Sequence, residues 1–479
     1  MITWAAMAAL LIFSACAYVI GRRRLVAAVA AGAQPHSRPG YHGAYLTLWA
    51  AVPALLLLLV HIGFSSRIEA ALLQAEAPAV VRTMDAQQQR VFFDDAISLS
   101  QGQTRSETTY DAAVQAALDA KAAEARRLDQ GVRLTVLVLA VVLAAGGFLI
   151  ALRRLAPDFR ARNRVEGWTA ALFIACSVVA VLTTAGIVAS LAFESWRFFQ
   201  MVSPIDFLFG TDWDPQIAMR ADQYASKGAF GAVPLFVGTF LVMLVAMVVA
   251  APIGLFAAIY LAEYAGGWTR AVVKPLLEVL AGVPTVVYGF FAALTVGPLF
   301  RAGFNAIGAQ LIGGPLNELG VYLGQVQNQM ALVAGAVMGI MLIPFVCSLS
   351  DDILNAVPQS LRDGSLAMGA TKSETVKKVV LPAALPGIAG AFLLAISRAI
   401  GETMIVTMAA GLQAKLTLNP LETVTTVTVQ IVTLLTGDQE FDSPKTLAAF
   451  GLGLTLFVVT LMLNVVALRI VQKYREQYD

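Results

Sequence analysis

Charged side chains are scarce in this sequence. Asp, Glu, Lys and Arg make up 13% of its 479 residues, against roughly 25% in an average soluble domain. Apolar residues make up 58%, so too little polar surface is left to cover a water-soluble body of this size. A soluble enzyme, a disordered chain and a disulfide-stapled secreted scaffold are excluded on these grounds. A polytopic helical membrane protein remains. Cysteine and histidine are sparse as well. Cys16, Cys176 and Cys347 lie in apolar runs without CxxC spacing and read as small buried hydrophobes. His36, His42 and His61 are too few and too dispersed for a zinc site, so no metal site is expected. The chain contains no Gly-Lys pair. It therefore lacks the GxxxxGK[ST] phosphate loop and is not expected to hydrolyse ATP by that route. No GxGxxG follows a strand, and no repeat of solenoid period is visible.

What the chain does contain is long apolar runs. About 18 apolar residues suffice to span the hydrocarbon core of a bilayer. Nine runs qualify, at 2–20, 44–64, 134–152, 168–193, 233–261, 279–300, 330–349, 388–408 and 447–470. They lack the period-two alternation of barrel strands, so the fold class is an all-α bundle. The net charge of +2 matters less than where the charge sits. One set of connections holds Arg22, Arg23, Arg24, Arg38, Arg153, Arg154, Arg160, Arg162, Arg164, Arg270, Lys274, Arg362, Lys372, Lys377, Lys378, Arg469, Lys473 and Arg475. The short connections opposite hold only Arg197, Arg220, Lys227, Arg301, Lys415 and Lys445. The richer side is expected to be cytoplasmic, with the N-terminus periplasmic and the C-terminus cytoplasmic. The first run carries its arginines after the apolar stretch, which predicts a retained anchor instead of a cleaved signal.

Residues 65–133 form a polar stretch of mixed charge between spans two and three. The alanine-rich segment 110–130 has helical composition, so a small helical domain on the outer face is expected. A plain solvated hairpin and a regulatory contact are both open readings of it.

The most informative polar segment lies between spans seven and eight, at 351–385. Pro358 suits the first turn of a helix, which would run past Arg362 and Met368 and stop at Gly369, a good left-handed residue. Thr371 caps a second helix, with Glu374 completing a capping box. That helix is expected to end before Pro382. Two short helices joined by a tight glycine turn make a hard knob suited to a partner's groove.

This segment resembles the EAA loop of bacterial ABC importer permeases, with the pattern E-A-A-x3-G-x9-I-x-L-P. Asp363-Gly364-Ser365 occupies the EAA place, followed at the right spacing by Gly369, Val379, Leu381 and Pro382. Asp363 is shorter than the usual Glu, and Gly364 replaces Ala at some cost in helix propensity. The stretches SWRFFQMVSPIDFLFGTDW, APIGLFAAIYLAEYAGGW, LLEVLAGVPTVVYGFFA and SRAIGETMIVTMAAG resemble, in order, the C-type membrane subunit of the phosphate-specific ABC importer. The match runs from 168 to 479. Residues 1–167 resemble an N-terminal extension that some members carry, here with three transmembrane helices. The resemblance implies an ABC type I importer permease in a bacterial inner membrane. It implies an A-type permease paralogue, two copies of an ATP-binding subunit and a periplasmic phosphate-binding protein as partners. No cofactor is then expected on this chain, and ATP and Mg are used by the partner ATPase. Membrane lipid is the other expected contact, and nucleic acid is not. Asp363, Gly364, Ser365, Gly369, Leu381 and Pro382 are the implied coupling residues.

One cation, Arg398, falls inside a span. A charge at a helix centre costs roughly 2.5–3.5 kcal/mol on insertion scales, so it should face the bundle interior. Glu402 lies four residues on, so both side chains are expected to face the same way on the helix. Two readings stay open. The pair is a structural lock, or Arg398 offers a forked donor to a phosphate oxygen while Glu402 holds the fork in the empty path. Thr403, Ser397 and Thr407 could add hydroxyls or bond back to their own helix. Pro284 is expected to kink span six, with Tyr288 a packed aromatic or a path-lining one. Asp206, Asp212 and Asp214 form an acidic outer loop. Physics alone does not separate phosphate from phosphonate, thiosulfate or another oxyanion. A signalling or assembly subunit and a stand-alone carrier are the competing classes. The docking knob and the absence of inverted-repeat signatures speak against the carrier.

Overall fold

A computed structural model describes residues 2–75, 78–82, 84–100, 111–217, 227–436 and 443–474. Nine helices among these residues are long and apolar enough to cross a membrane: Ala5–Ala30, Pro39–Phe64, Ala113–Arg154, Ala161–Met201, Val233–Tyr264, Thr285–Leu311, Ala331–Ala356, Lys372–Ile400 and Pro444–Lys473. Each apolar run becomes a helix because only a helix pairs all of its own backbone groups in lipid.

Two spans are displaced from their expected positions. The helix Gly267–Ala281 stops at Gly282, and Pro284 stands just before the helix that begins at Thr285. Pro284 thus starts span six, where its missing N–H costs nothing, and is not the kink expected inside it. Span eight begins earlier, at Lys372, and ends at Ile400 instead of running to 408. Gly401 to Thr403 interrupt it before a short helix, Met404–Ala409.

The chain divides into two compact units, Met1–Leu182 and Thr183–Asp479. In the first, Ala17, Tyr45, Leu46, Ala50 and Ala151 form the buried seam of the helices. Leu73, Val81, Phe92, Phe93 and Leu118 form a separate small core, built from the end of the helix Pro39–Ala75 and from the helices Ala79–Arg82, Ala86–Ser100 and Ala112–Arg154. The helix expected near 110–130 continues without a break into span three. Residues 101–110 of the polar stretch lie outside the described residues, as do Arg220 and Arg475.

In the second unit, span seven is the central helix, and its buried residues face spans five and eight. Gly335 and Gly339 lie one turn apart on it. A Cβ on Gly339 would meet the carbonyl of Ala246 and Val249 Cβ, each at 2.8 Å. This is the small-xxx-small packing that brings two membrane helices into backbone contact. Two short antiparallel strands, β1 (Trp213–Ile217) and β2 (Lys227–Phe230), pair Trp213 with Phe230. Their aromatic residues join Phe198 and Phe207 in a second cluster. Cys347 is buried as expected, whereas Cys16 and Cys176 are exposed on the surfaces of their helices.

Candidate functional site

The knob between spans seven and eight folds close to its sequence expectation. A helix covers Gln359–Ala367, with Pro358 at its N-cap and Met368 at its C-cap. Gly369 follows at φ +86°, a conformation that L side chains rarely adopt. Thr371 and Glu374 form a reciprocal capping box. The Thr371 N–H donates to Glu374 Oε2 at 3.0 Å, and the Glu374 N–H donates to Thr371 Oγ1 at 3.3 Å. The second helix does not end before Pro382. It passes through a widened π turn at Val376–Val380 and continues as Leu381–Ile400. The wide turn shifts the hydrogen-bond register there, so the proline's missing donor leaves no gap in the ladder.

Asp363 and Gly364 are exposed on the knob, and Met368 is 89% exposed at its tip. Ser365 faces the other arm, its hydroxyl 2.9 Å from that of Thr375. Leu381 is partly buried against Val380, Ala384 and Leu354, while Pro382 is exposed. The tip therefore offers a groove-filling apolar residue beside a carboxylate, on a rigid turn.

Two ion-pair clusters lie beside the knob, one tying it to span five and one joining the helix Gly267–Ala281 to span seven, and sequence reading did not anticipate either. Arg362 donates through Nε to Glu263 at 3.0 Å, with both side chains nearly buried at 11% and 10% exposure. Its other nitrogens donate to the carbonyls of Val357 and Leu354. These carbonyls lie at the C-terminal end of span seven, where the helix leaves acceptors unpaired. The second cluster centres on Asp351, whose side chain is 2% exposed. Arg270 donates to both of its oxygens, at 3.1 and 3.0 Å. Lys274 donates at 2.9 Å and Asn355 at 2.9 Å. The bond to Asp351 raises the Lys274 pKa above its ordinary value. Partners 81 and 99 positions apart carry no local signature, which is why spacing rules could not find them.

Arg398 lies in the last turn of span eight, as its sequence position suggested, but its expected partner does not face it. Gly401 ends the helix, and the Glu402 side chain turns to accept from the backbone N–H of Met404 at 3.1 Å and of Ile405 at 3.4 Å. Glu402 thus caps the next helix. No ion pair joins Arg398 and Glu402 among the described residues, so the four-residue facing inferred for them is corrected. The Arg398 guanidinium carbon instead sits 5.4 Å from the ring centroid of Phe345. It lines a cavity of about 280 Å³ shared with Lys274, Glu278, Phe345, Ser348 and Asp351. Thr403 donates to the Gly401 carbonyl at 3.3 Å, and Thr407 bonds back to Thr403. Tyr288 is packed, its hydroxyl donating to the Leu280 carbonyl at 3.0 Å.

Comparison with known proteins gives two family matches. A family described as "Phosphate ATP-binding cassette transporter" matches residues 7–183. One described as "Binding-protein-dependent transport system inner membrane component" matches residues 250–476. Among similar proteins, the probable ABC transporter permease protein YqgH of Bacillus subtilis is 33% identical over 291 residues, covering 60% of this chain and 85% of that protein. The phosphate transport system permease protein PstC of Haemophilus influenzae is 30% identical over 312 residues, covering 64% and 92%. PstC 1 of Mycobacterium tuberculosis is 32% identical over 289 residues, covering 56% and 82%. With nine apolar helices among the described residues, a knob of the EAA pattern and these matches in hand, the chain belongs to the PstC family of phosphate transport system permeases, multi-pass inner-membrane components of ABC transporters.

Proposed function

We propose that this chain forms one half of the translocation path of an ATP-driven inorganic phosphate importer, with Arg398 as a phosphate contact in that path. The observation that carries the reading is a cation in a cavity between apolar helices with no carboxylate paired to it among the described residues. Contact with an aromatic face returns roughly 0.5–2 kcal/mol. A charge at the centre of a span costs about 2.5–3.5 kcal/mol on insertion scales, an upper bound for one in its last turn. An oxyanion matched to the guanidinium fork closes the difference. A single such contact is weak enough for the ion to leave again, as transport requires. Glu402 and Thr403, on the turn where span eight breaks, complete the path. Glu402 is placed to accept from a P–OH group once it swings off its cap, which favours protonated phosphate over fully ionised sulfate.

The other half of the path comes from an A-type permease paralogue. A phosphate-binding protein delivers the ion at the outer mouth. Two copies of an ATP-binding subunit, using ATP and Mg, grip the knob at Asp363, Gly364, Ser365 and Gly369, with Leu381 and Pro382 at its root. The N-terminus is periplasmic and the C-terminus cytoplasmic, following the distribution of Arg and Lys. This chain supplies no ATPase site, and its work is rigid-body alternation between outward and inward openings.

The test is uptake by the reconstituted complex carrying Arg398→Ala. A charge-assisted contact is worth about 1.5–3 kcal/mol, so uptake at limiting phosphate should fall about 10- to 100-fold. Arg398→Lys should recover only part, because an ammonium cannot fork. Unchanged uptake by an Arg398→Ala complex of normal abundance would remove the path assignment.

A further inference from the structure

A buried polar network joins the outer hairpin to the turn that holds Glu402. Gln430 lies on the helix Val427–Leu435 and is 4% exposed. Its amide oxygen accepts from Trp213 Nε1 at 3.0 Å. Its Nε2 donates to the Leu412 carbonyl at 2.7 Å and to Thr425 Oγ1 at 3.2 Å. One side chain thereby ties together the first residue of β1, the segment after the helix Met404–Ala409, and its own helix. Two residues earlier, Thr428 donates its hydroxyl to the Glu402 carbonyl at 2.8 Å. Thr426 caps the same helix by accepting from Val429 N–H at 3.3 Å. Thr239 of span five accepts from Val427 N–H at 3.0 Å.

Packing alone does not call for this arrangement. Buried amides and hydroxyls cost free energy unless each finds a partner, and a half-satisfied network is worse than an apolar one. Here the Gln430 amide uses its oxygen and both N–H donors. Trp213 also packs edge-on against Phe230 at 6.1 Å, so a shift of the hairpin carries the indole with it. Gln430 and Thr428 share one short helix, so a displacement at one reaches the other.

We propose that Gln430 and Thr428 are positioning residues that pass the state of the outer hairpin, received through Trp213, to the Glu402 turn. The partner that sets this state is the one that docks on the outer face, where the exposed Asp212 offers an acidic contact to a basic surface. Loading of the outer face then fixes the geometry in which Glu402 meets the ion. The inference rests on the path reading of Arg398 and Glu402 given above.

The test uses the full complex in proteoliposomes, with the phosphate-loaded binding protein as the probe. Trp213→Phe keeps the ring and removes the donor. Thr428→Val keeps the shape and removes the hydroxyl. Each should lower binding-protein-stimulated ATPase turnover about five- to tenfold while basal turnover stays unchanged. The binding-protein concentration giving half-maximal stimulation should move less than about twofold, because the docking surface is intact. The double variant should be no worse than the poorer single, since both cut one line of contacts. Thr428→Ser should restore turnover and guards against a variant that merely misfolds. Multiplying defects, equal losses of basal and stimulated turnover, or failure of the Ser variant to rescue would each overturn the proposal. Normal uptake in Glu402→Gln would instead remove the path reading, while the double-variant comparison on stimulated ATPase still decides the relay.

Discussion

Arg362→Ala offers the sharpest test of how the knob is held. The native guanidinium makes a charge-assisted bond to Glu263 and bonds to the carbonyls of Leu354 and Val357. Both members of the ion pair are about nine-tenths buried. Removing one member of a buried pair costs about 3–5 kcal/mol, because the other is left uncompensated out of water. At about 1.4 kcal/mol per decade, docking of the knob weakens by roughly 10² to 4 × 10³. Amide hydrogen exchange across 359–368 should lose protection by a factor of that order. Hydrolysis by the partner ATPase should continue while phosphate moved per ATP falls, because the push no longer reaches the membrane helices. Arg362→Lys should fall between, since one ammonium cannot reach all three acceptors in the same geometry. Exchanging both partners for apolar residues of similar volume, Arg362→Met with Glu263→Leu, should recover most of the protection, because no charge is stranded. Protection within about threefold of the native chain in Arg362→Ala would refute the reasoning, since the pair would then carry little docking energy.

Two further outcomes concern the turn itself. Thr371→Ala removes the cap at the foot of span eight and should raise local opening there about fivefold, read by exchange of the 371–376 amides. Gly369→Ala should cost roughly 1 kcal/mol from backbone strain alone, because nothing lies within 4 Å of the added Cβ. Gly369→Asn should cost less, and equal coupling losses in the two variants would show that strain is not the cause.

The spans were legible because lipid leaves the backbone one economical solution and demands a minimum length. The knob was legible because Pro358, Gly369 and the Thr371–Glu374 box are local signals within a few residues of what they specify. Glu402 was misread for an equally physical reason. The four-residue rule holds only while the helix lasts, and Gly401 ends it. Once outside, the carboxylate is better used on the free N–H groups of Met404 and Ile405 than on a guanidinium it no longer faces. Pro382 misled in the opposite sense, because a π turn absorbed the break that a proline normally causes. The Arg362–Glu263 and Asp351–Arg270–Lys274 pairs join residues from different helices, so no spacing within one segment could announce them.

The placement of these ties bears on how a push on the knob travels. The helix Gln359–Ala367 is held at one end by Arg362 on Glu263, which lies in a π turn, Tyr260–Tyr264, closing span five. Ser365 touches Thr375, immediately before the π turn Val376–Val380 that opens span eight. The two ties therefore meet two spans at their least regular turns, where hydrogen bonding is poorest and bending costs least. Leu361 packs among Leu261, Leu354 and Val380, which keeps the knob from sliding without moving its neighbours. Span eight then runs without another break from Leu381 to the turn that carries Arg398, about 26 Å away at 1.5 Å per residue. A force applied at Asp363 and Met368 would therefore reach the foot of a rod whose far end carries the cation. Span seven, held by backbone contact at Gly339 and by the paired Asp351, is the surface against which that rod packs.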